Sequence, residues 1–286
     1  MMIKSYVIYG LAATLIVASW LGNIGYNRYY RLPEGRFLQH HIEAMDSLGI
    51  AFDLYYVANK GDKRTIQSIQ AAGLPALAVY PVQVRQELNR QTIYAITCYY
   101  QSAAERTTAQ PPLRLHAVTV TFNDGLTKEM EVGDIIVYRD RNPSLDSPVE
   151  FSSGGSSSDH SGYNSMRMTR PAALTATSSA WLGLLGKDFQ FDVKRIINIT
   201  DASGIHETEA AYPMKLAEGD SVITNYRFDF AGSDPLATHV FRLLLAHTFE
   251  EDGGRRLNDP IYASYEPVFT ESQMKYFVRA QREERK

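Results

Sequence analysis

The chain has a single cysteine, Cys98, so no disulfide can form within it. Its surroundings, ITCYY, are apolar, and a buried inert thiol is expected. Net charge is also scarce. Lys and Arg number 29 against 32 Asp and Glu, a formal charge of −3. That balance leaves no basic surplus for nucleic acid and no acidic tract. Of two tryptophans, Trp20 lies in an N-terminal apolar run, which argues against an aromatic platform for carbohydrate. Catalytic signatures are missing too. There is no G-x-S-x-G elbow, H-E-x-x-H pair, P-loop or G-x-G-x-x-G turn. No cofactor or metal is expected, and the reading leans away from an enzyme.

What is present begins at the N-terminus. Tyr6 to Leu21 reads YVIYGLAATLIVASWL, and no charge falls between Lys4 and Arg28, a run of 23 residues. As a helix it would span about 34 Å at about 1.5 Å per residue, against a bilayer core of about 30 Å. The leading expectation is a retained transmembrane helix in residues 1–30. Trp20, Tyr26, Tyr29 and Tyr30 would sit at headgroup level, with Arg28 and Arg31 reaching lipid phosphates. The alternative is a signal peptide cut at Val17-Ala18-Ser19. Arg28, Arg31 and Arg36 outnumber the positive groups before the run. A short N-terminal tail usually stays inside, so an extracytoplasmic body on a plasma membrane is the working expectation, with a cytoplasm-facing body as its rival.

Beyond the run, the pattern reads as antiparallel strands. AFDLYYVAN (51–59) and TIYAITCYY (92–100) are rich in β-branched and aromatic residues. LHAVTVTF (115–122) leads through Asn123-Asp124-Gly125, a hairpin turn, into a returning strand at 127–132 and another at 134–138. Phe37 to Met45 fits a strand or a short helix. Residues 142–168 contain SPVEFSSGGSSSDHSGYNS, with little to bury, and read as a Ser/Gly-rich flexible linker or loop. Strand patterns resume after it, and 238–248 reads as a strand. Thr270 with Gln273 suggests a capping box and a C-terminal helix. The expected fold class is mainly β. An N-terminal transmembrane helix precedes two tandem antiparallel, Ig-like β-sandwich domains at 31–141 and 169–286, the second carrying the helix.

The halves echo one another in order. Leu48-Gly49, Phe52, Lys63-Arg64 and Tyr80-Pro81 match Leu185-Gly186, Phe189, Lys194-Arg195 and Tyr212-Pro213. Thr121 to Gly125 matches Thr248 to Gly253. An internal duplication is expected.

Candidate sites are few. Ser158-Asp159-His160-Ser161 holds the letters of a triad in the Ser/Gly-rich stretch, where rigid spacing is not expected. His40 and His41 would point to opposite faces of a strand. His206-Glu207-Thr208-Glu209 reads as a solvated loop, and Asn198-Ile199-Thr200 fits a glycosylation sequon of little weight. Tyr55-Tyr56 and Tyr99-Tyr100 are adjacent pairs, so one ring of each should face outward, either as a partner anchor or as cross-strand packing. The pattern as a whole resembles membrane-anchored extracytoplasmic β-sandwich proteins of bacteria. The leading function is binding or assembly without catalysis, with membrane lipid as one partner and another membrane or surface protein as a second. The rival is a surface hydrolase whose Asp, Glu and His meet only in space.

Overall fold

Two-residue alternation governs most of the chain after residue 35, and the backbone follows it. The computed structural model describes residues 2–46, 49–74, 77–100, 110–139, 147–197, 206–209, 211–232 and 234–283, with the side chains of all but 2–8 and 206–209. Helix α1 is Met2–Tyr29. The first half holds β1 (Arg36–Phe37), β2 (His40–Met45), β3 (Ile50–Asn59), β4 (Ile66–Gln70), β5 (Ala78–Val79), β6 (Gln83–Glu87), β7 (Gln91–Tyr100), β8 (Gln110–Phe122) and β9 (Thr127–Arg139). The second holds β10 (Val149–Ser156), β11 (Ser161–Met168), β12 (Ala172–Ser178), the short α2 (Leu182–Leu185), β13 (Phe189–Ile197) and β14 (His206–Glu209). It continues with β15 (Met214–Leu216), β16 (Ser221–Phe228), β17 (Val240–Glu250), β18 (Arg256–Tyr265) and α3 (Glu271–Glu283).

The protein is mainly β, in three sheets. The central sheet has eight strands in the order β15-β12-β17-β2-β9-β8-β4, with β18 also paired to β17. A first outer sheet joins β1, β3, β7, β5 and β6, and a second joins β10, β11, β16, β13 and β14. Two expectations are corrected here. The halves are not independent sandwiches, because both feed one sheet. The join is also parallel rather than antiparallel, since β2 runs parallel to β17 on one side and to β9 on the other. From His40 to Ile42, β2 is paired on both edges.

Register fixes how the layers stack. Phe241 lies opposite His41, and Arg242 opposite Ile42. Laterally paired residues share a face. Ile42 belongs to the core under the first outer sheet, with Phe52, Leu54 and Phe122. Phe241 belongs to the core under the second, with Phe189, Phe228 and Phe249. The outer sheets therefore cover opposite faces of the central sheet, one at each end. A third core lies on the far side of the first outer sheet, where Met274, Phe277 and Val278 of α3 meet Tyr55, Val57 and Ile93. So α3 packs on the first half, not on the second-half sandwich to which sequence alone attached it.

The flexible linker at 142–168 is corrected as well. Residues 149–156 and 161–168 form a hairpin, and β11 pairs along β16. Backbone groups make that ladder, and serine and glycine do not prevent it. The strands expected at 127–132 and 134–138 are one strand, β9. It kinks at Gly133, whose φ of +104 suits a bulge where the β8–β9 register shifts between Leu115 and Ala117. The duplication has a partial counterpart in topology. Each half pairs an early strand with a later one, β3 with β7 and β13 with β16, and then forms a hairpin, β8–β9 and β17–β18. The echo fails at β2 and β12, which pair differently.

Candidate binding surfaces

The tyrosine pairs part company in space. Tyr55 and Tyr56 are 4% and 6% exposed, so neither ring is offered to a partner, and the expectation of one outward ring fails for this pair. The reason is that both faces of β3 are covered. Tyr56 packs into the core against the central sheet and Tyr55 against α3. Tyr99 and Tyr100 are half-buried. The Tyr99 ring lies 6.5 Å from that of Tyr80, which is 54% exposed. Cys98 is buried, and burial pushes its thiol up to about 12.

The join between the halves is polar at its centre. β17 pairs with β2 through Arg242 and with β12 from Ala246 on. The Glu43 carboxyl fills the gap. Its Oε2 accepts from Leu244 N at 3.0 Å and Ser179 Oγ at 2.5 Å. Its Oε1 accepts from Tyr138 Oη at 2.7 Å and Ala180 N at 3.0 Å. Glu43 is 1% exposed, and four donors offset the cost of burying its carboxyl. A cavity of about 210 Å³ adjoins it, lined also by Met45, Asn258 and Pro260.

His40 plays the matching part where the chain crosses from β1 to β2. Its Nε2 accepts from Tyr55 N at 2.9 Å, and its Nδ1 donates to Val132 O at 2.7 Å. The backbone N–H of Tyr55 can only donate, which fixes the tautomer. As expected, His41 points to the other face. It contacts His239 Nδ1 through Nε2 at 3.0 Å and packs on Phe241 and Trp181. His247 sits between the hydroxyls of Thr177 and Thr224, at 2.7 and 2.9 Å.

These rings set an acid limit. Burial lowers His40 and His247 from 6.5 to about 4. Burial first, and then His239, lowers His41 to about 4, and burial lowers His239 itself. An unfolded chain would take these protons near its ordinary value. The stabilising contribution is complete above about 6.5 and is lost as pH falls through about 4, worth about 3 kcal/mol for one such group at the acid end. Melting temperature is expected to fall steadily across that window, and a flat profile there would contradict neutral buried rings.

Two acids do share a cleft between the halves. Asp53 and Glu266 line about 190 Å³ with Tyr55, Arg242 and Tyr262. Both are already engaged. Thr97 donates to Asp53 at 2.5 Å, and Arg85 pairs with Glu266 at 2.7 Å. Burial and the neighbouring Glu266 raise the Tyr55 phenol. Among the described residues no group of three His, Cys, Asp or Glu is placed to hold a metal. The triad letters form a hairpin tip, where Asp159 accepts from Ser161 Oγ at 2.6 Å and His160 packs on Tyr265. The side chains of 206–209 and the sequon at 198–200 lie outside the described residues.

Two surfaces remain open. β10 is an edge of the second outer sheet, exposed from Glu150 to Ser156, with Phe151 69% exposed. It carries one charge and no proline, and its only other edge device is a register shift against β11 between Phe151 and Ser153. The second surface is α1. Every described side chain from 9 to 29 is exposed. Among the described residues no helix is long and apolar enough to cross a membrane. The side chains of Tyr6, Val7 and Ile8, which open the apolar run, lie outside the described ones. Trp20 is 71% exposed, and Tyr26 and Tyr29 are each 44% exposed. Tyr30 stacks edge-on with Tyr26 at 4.8 Å and with Tyr29 at 5.0 Å. Sequence reasoning missed Glu43 and named His40 without its buried bonds, and the partners of Glu43 lie up to 201 residues away.

No family model and no curated protein matches the chain. Among solved structures, the major pilin subunit BcpA of Bacillus cereus aligns at 8% identity with a TM-score of 0.18, over 82% of this chain and 65% of the pilin. The chain thus spans just under two thirds of the pilin's length, and a likeness that slight supports no conclusion.

Proposed function

We propose that the chain is a membrane-tethered binding or assembly protein without catalytic activity, its body held outside the cytoplasm. The observation that carries this is α1. From Tyr9 on, its charge-free turns are mostly apolar and exposed on every side, and a helix so exposed needs an apolar surrounding. Strand β10 supports the binding half of the reading, because an open edge can add a partner's extended segment. The two acids of the inter-half cleft favour the hydrolase rival less, since each already has a bonded partner.

A cytoplasm-facing body is the second reading. The basic residues gathered at the C-terminal end of α1 favour it. Membrane fractionation with an alkaline carbonate wash tests the tether. The full chain is expected to stay in the pellet, and release into the supernatant would refute it. A reporter active only outside the cytoplasm, fused after Lys286, is expected to be active, and silence in an intact fusion would favour the second reading.

A further inference from the structure

The end of α1 is seated in the body by groups that sequence does not bring together. A helix leaves its last carbonyls without partners. Arg282 of α3 donates to Arg28 O at 2.6 Å and to Arg31 O at 3.3 Å. Gln91 of β7 donates to Tyr30 O at 2.8 Å, and Asn59 of β3 to Leu32 O at 2.9 Å. Arg90 donates to Asn27 Oδ1 at 2.9 Å. The exit of α1 is therefore fixed to β3, β7 and α3 at once.

The same place gathers positive charge among rings. The Arg90 guanidinium lies 5.1 Å from the Tyr26 ring centre, Lys275 Nζ lies 5.5 Å from that of Tyr30, and Arg282 lies 5.8 Å from that of Tyr29. Lys275, Arg279 and Arg282 are spaced four and three residues apart, so they share one face of α3. The adjoining face, with Met274, Phe277 and Val278, is buried. Among the described residues none of Arg28, Arg31, Arg90, Lys275, Arg279 and Arg282 is ion-paired, while the described carboxyls of α3 and the 85–91 segment are Glu87, which pairs with Lys60 at 3.4 Å, Glu271, which accepts from Asn89 N, and Glu283.

We infer that this collar of cations and tyrosines is a binding surface for anionic lipid headgroups, and that it holds the body against the bilayer through α3 and the 85–91 segment. The inference rests on α1 lying in the membrane. Three elements from opposite ends of the chain present unpaired cations around the point where α1 leaves the body. A lipid surface brought there by α1 meets them all together, and its phosphates supply the missing counter-charge. Tyrosines at the same level suit the half-polar interface.

The test uses the full chain in nanodiscs of phosphatidylcholine alone, or of phosphatidylcholine and phosphatidylglycerol at roughly 3:1. Hydrogen exchange is followed over residues 271–283 and 85–91. Exchange is expected to slow about threefold or more in the anionic discs and to recover in high salt, where screening shortens the reach of charge. Lys275→Gln with Arg279→Gln removes one half-buried and one exposed charge without touching the bonds of Arg282 or Arg90. This variant is expected to insert normally and to exchange alike in both lipids. Failure of the wild-type chain to enter neutral discs would refute the tether itself. Normal insertion with equal exchange in the two lipids would overturn the collar alone.

Discussion

Glu43→Ala is expected to destabilise the body by about 4 kcal/mol or more, because four donors lose their acceptor and each buried orphan costs about 1–3 kcal/mol. The low end applies if water from the adjoining cavity of about 210 Å³ reaches the vacated space. For a body of this size the melting temperature should drop on the order of 10 °C. Glu43→Gln is the sharper test. Each carboxyl oxygen accepts from one backbone N–H, Ala180 on Oε1 and Leu244 on Oε2. Backbone donors cannot turn around. Whichever way the amide is set, its NH₂ faces one of them, so the near-isosteric change is expected to cost about 2–3 kcal/mol. The site demands an acceptor at both oxygens. Differential scanning of the full chain in detergent checks both variants, and a glutamine variant that melts with wild type would refute the assignment.

The central position of Glu43 also explains which parts of the fold were legible. The β8–β9 hairpin could be read because Asn123-Asp124-Gly125 names its own turn, and the Leu126 N–H closes on the Asp124 carboxyl at 3.1 Å. β7 could be read because its pattern is local. β2 could not be assigned to strand or helix. HHIEAM is buried on both faces, so it shows no clean alternation, and the groups that place it lie on β9 and β17. The Ser/Gly-rich hairpin failed for the opposite reason. β10 and the tip at Ser157 to His160 bury few side chains, yet every ladder bond is made by backbone. Tyr55 and Tyr56 were read as half-exposed because nothing local announces that α3, more than 200 residues on, covers the outer face of β3. The aromatic and basic residues at Trp20 and Tyr26 to Arg31 were legible as the end of the apolar run. The cations of α3 that join it were not.

Gly133→Ala is expected to break the join between the halves from the other side of β2. Gly133 lies opposite His40 in the parallel ladder and holds a φ of +104. A β-carbon there would meet His40 O at 2.3 Å and His40 N at 2.4 Å. Both are backbone atoms, so no rotamer change relieves the clash. His40 cannot retreat without giving up Val132 O and Tyr55 N. Left-handed strain and overpacking together put the cost at roughly 3–5 kcal/mol. Gly61 supplies the control. It holds a φ of +81, and a β-carbon added to it would meet nothing within 4 Å, so Gly61→Ala bears only the backbone strain, about 1–2 kcal/mol. Equal unfolding midpoints for the two variants would refute the steric account. The shape of the transition carries a second expectation. β2 is the strand through which the first half pairs with the second in the central sheet, so loosening it should uncouple the two cores. Gly133→Ala is expected to unfold in two steps where wild type unfolds in one, while Gly61→Ala keeps the single step at a slightly lower midpoint.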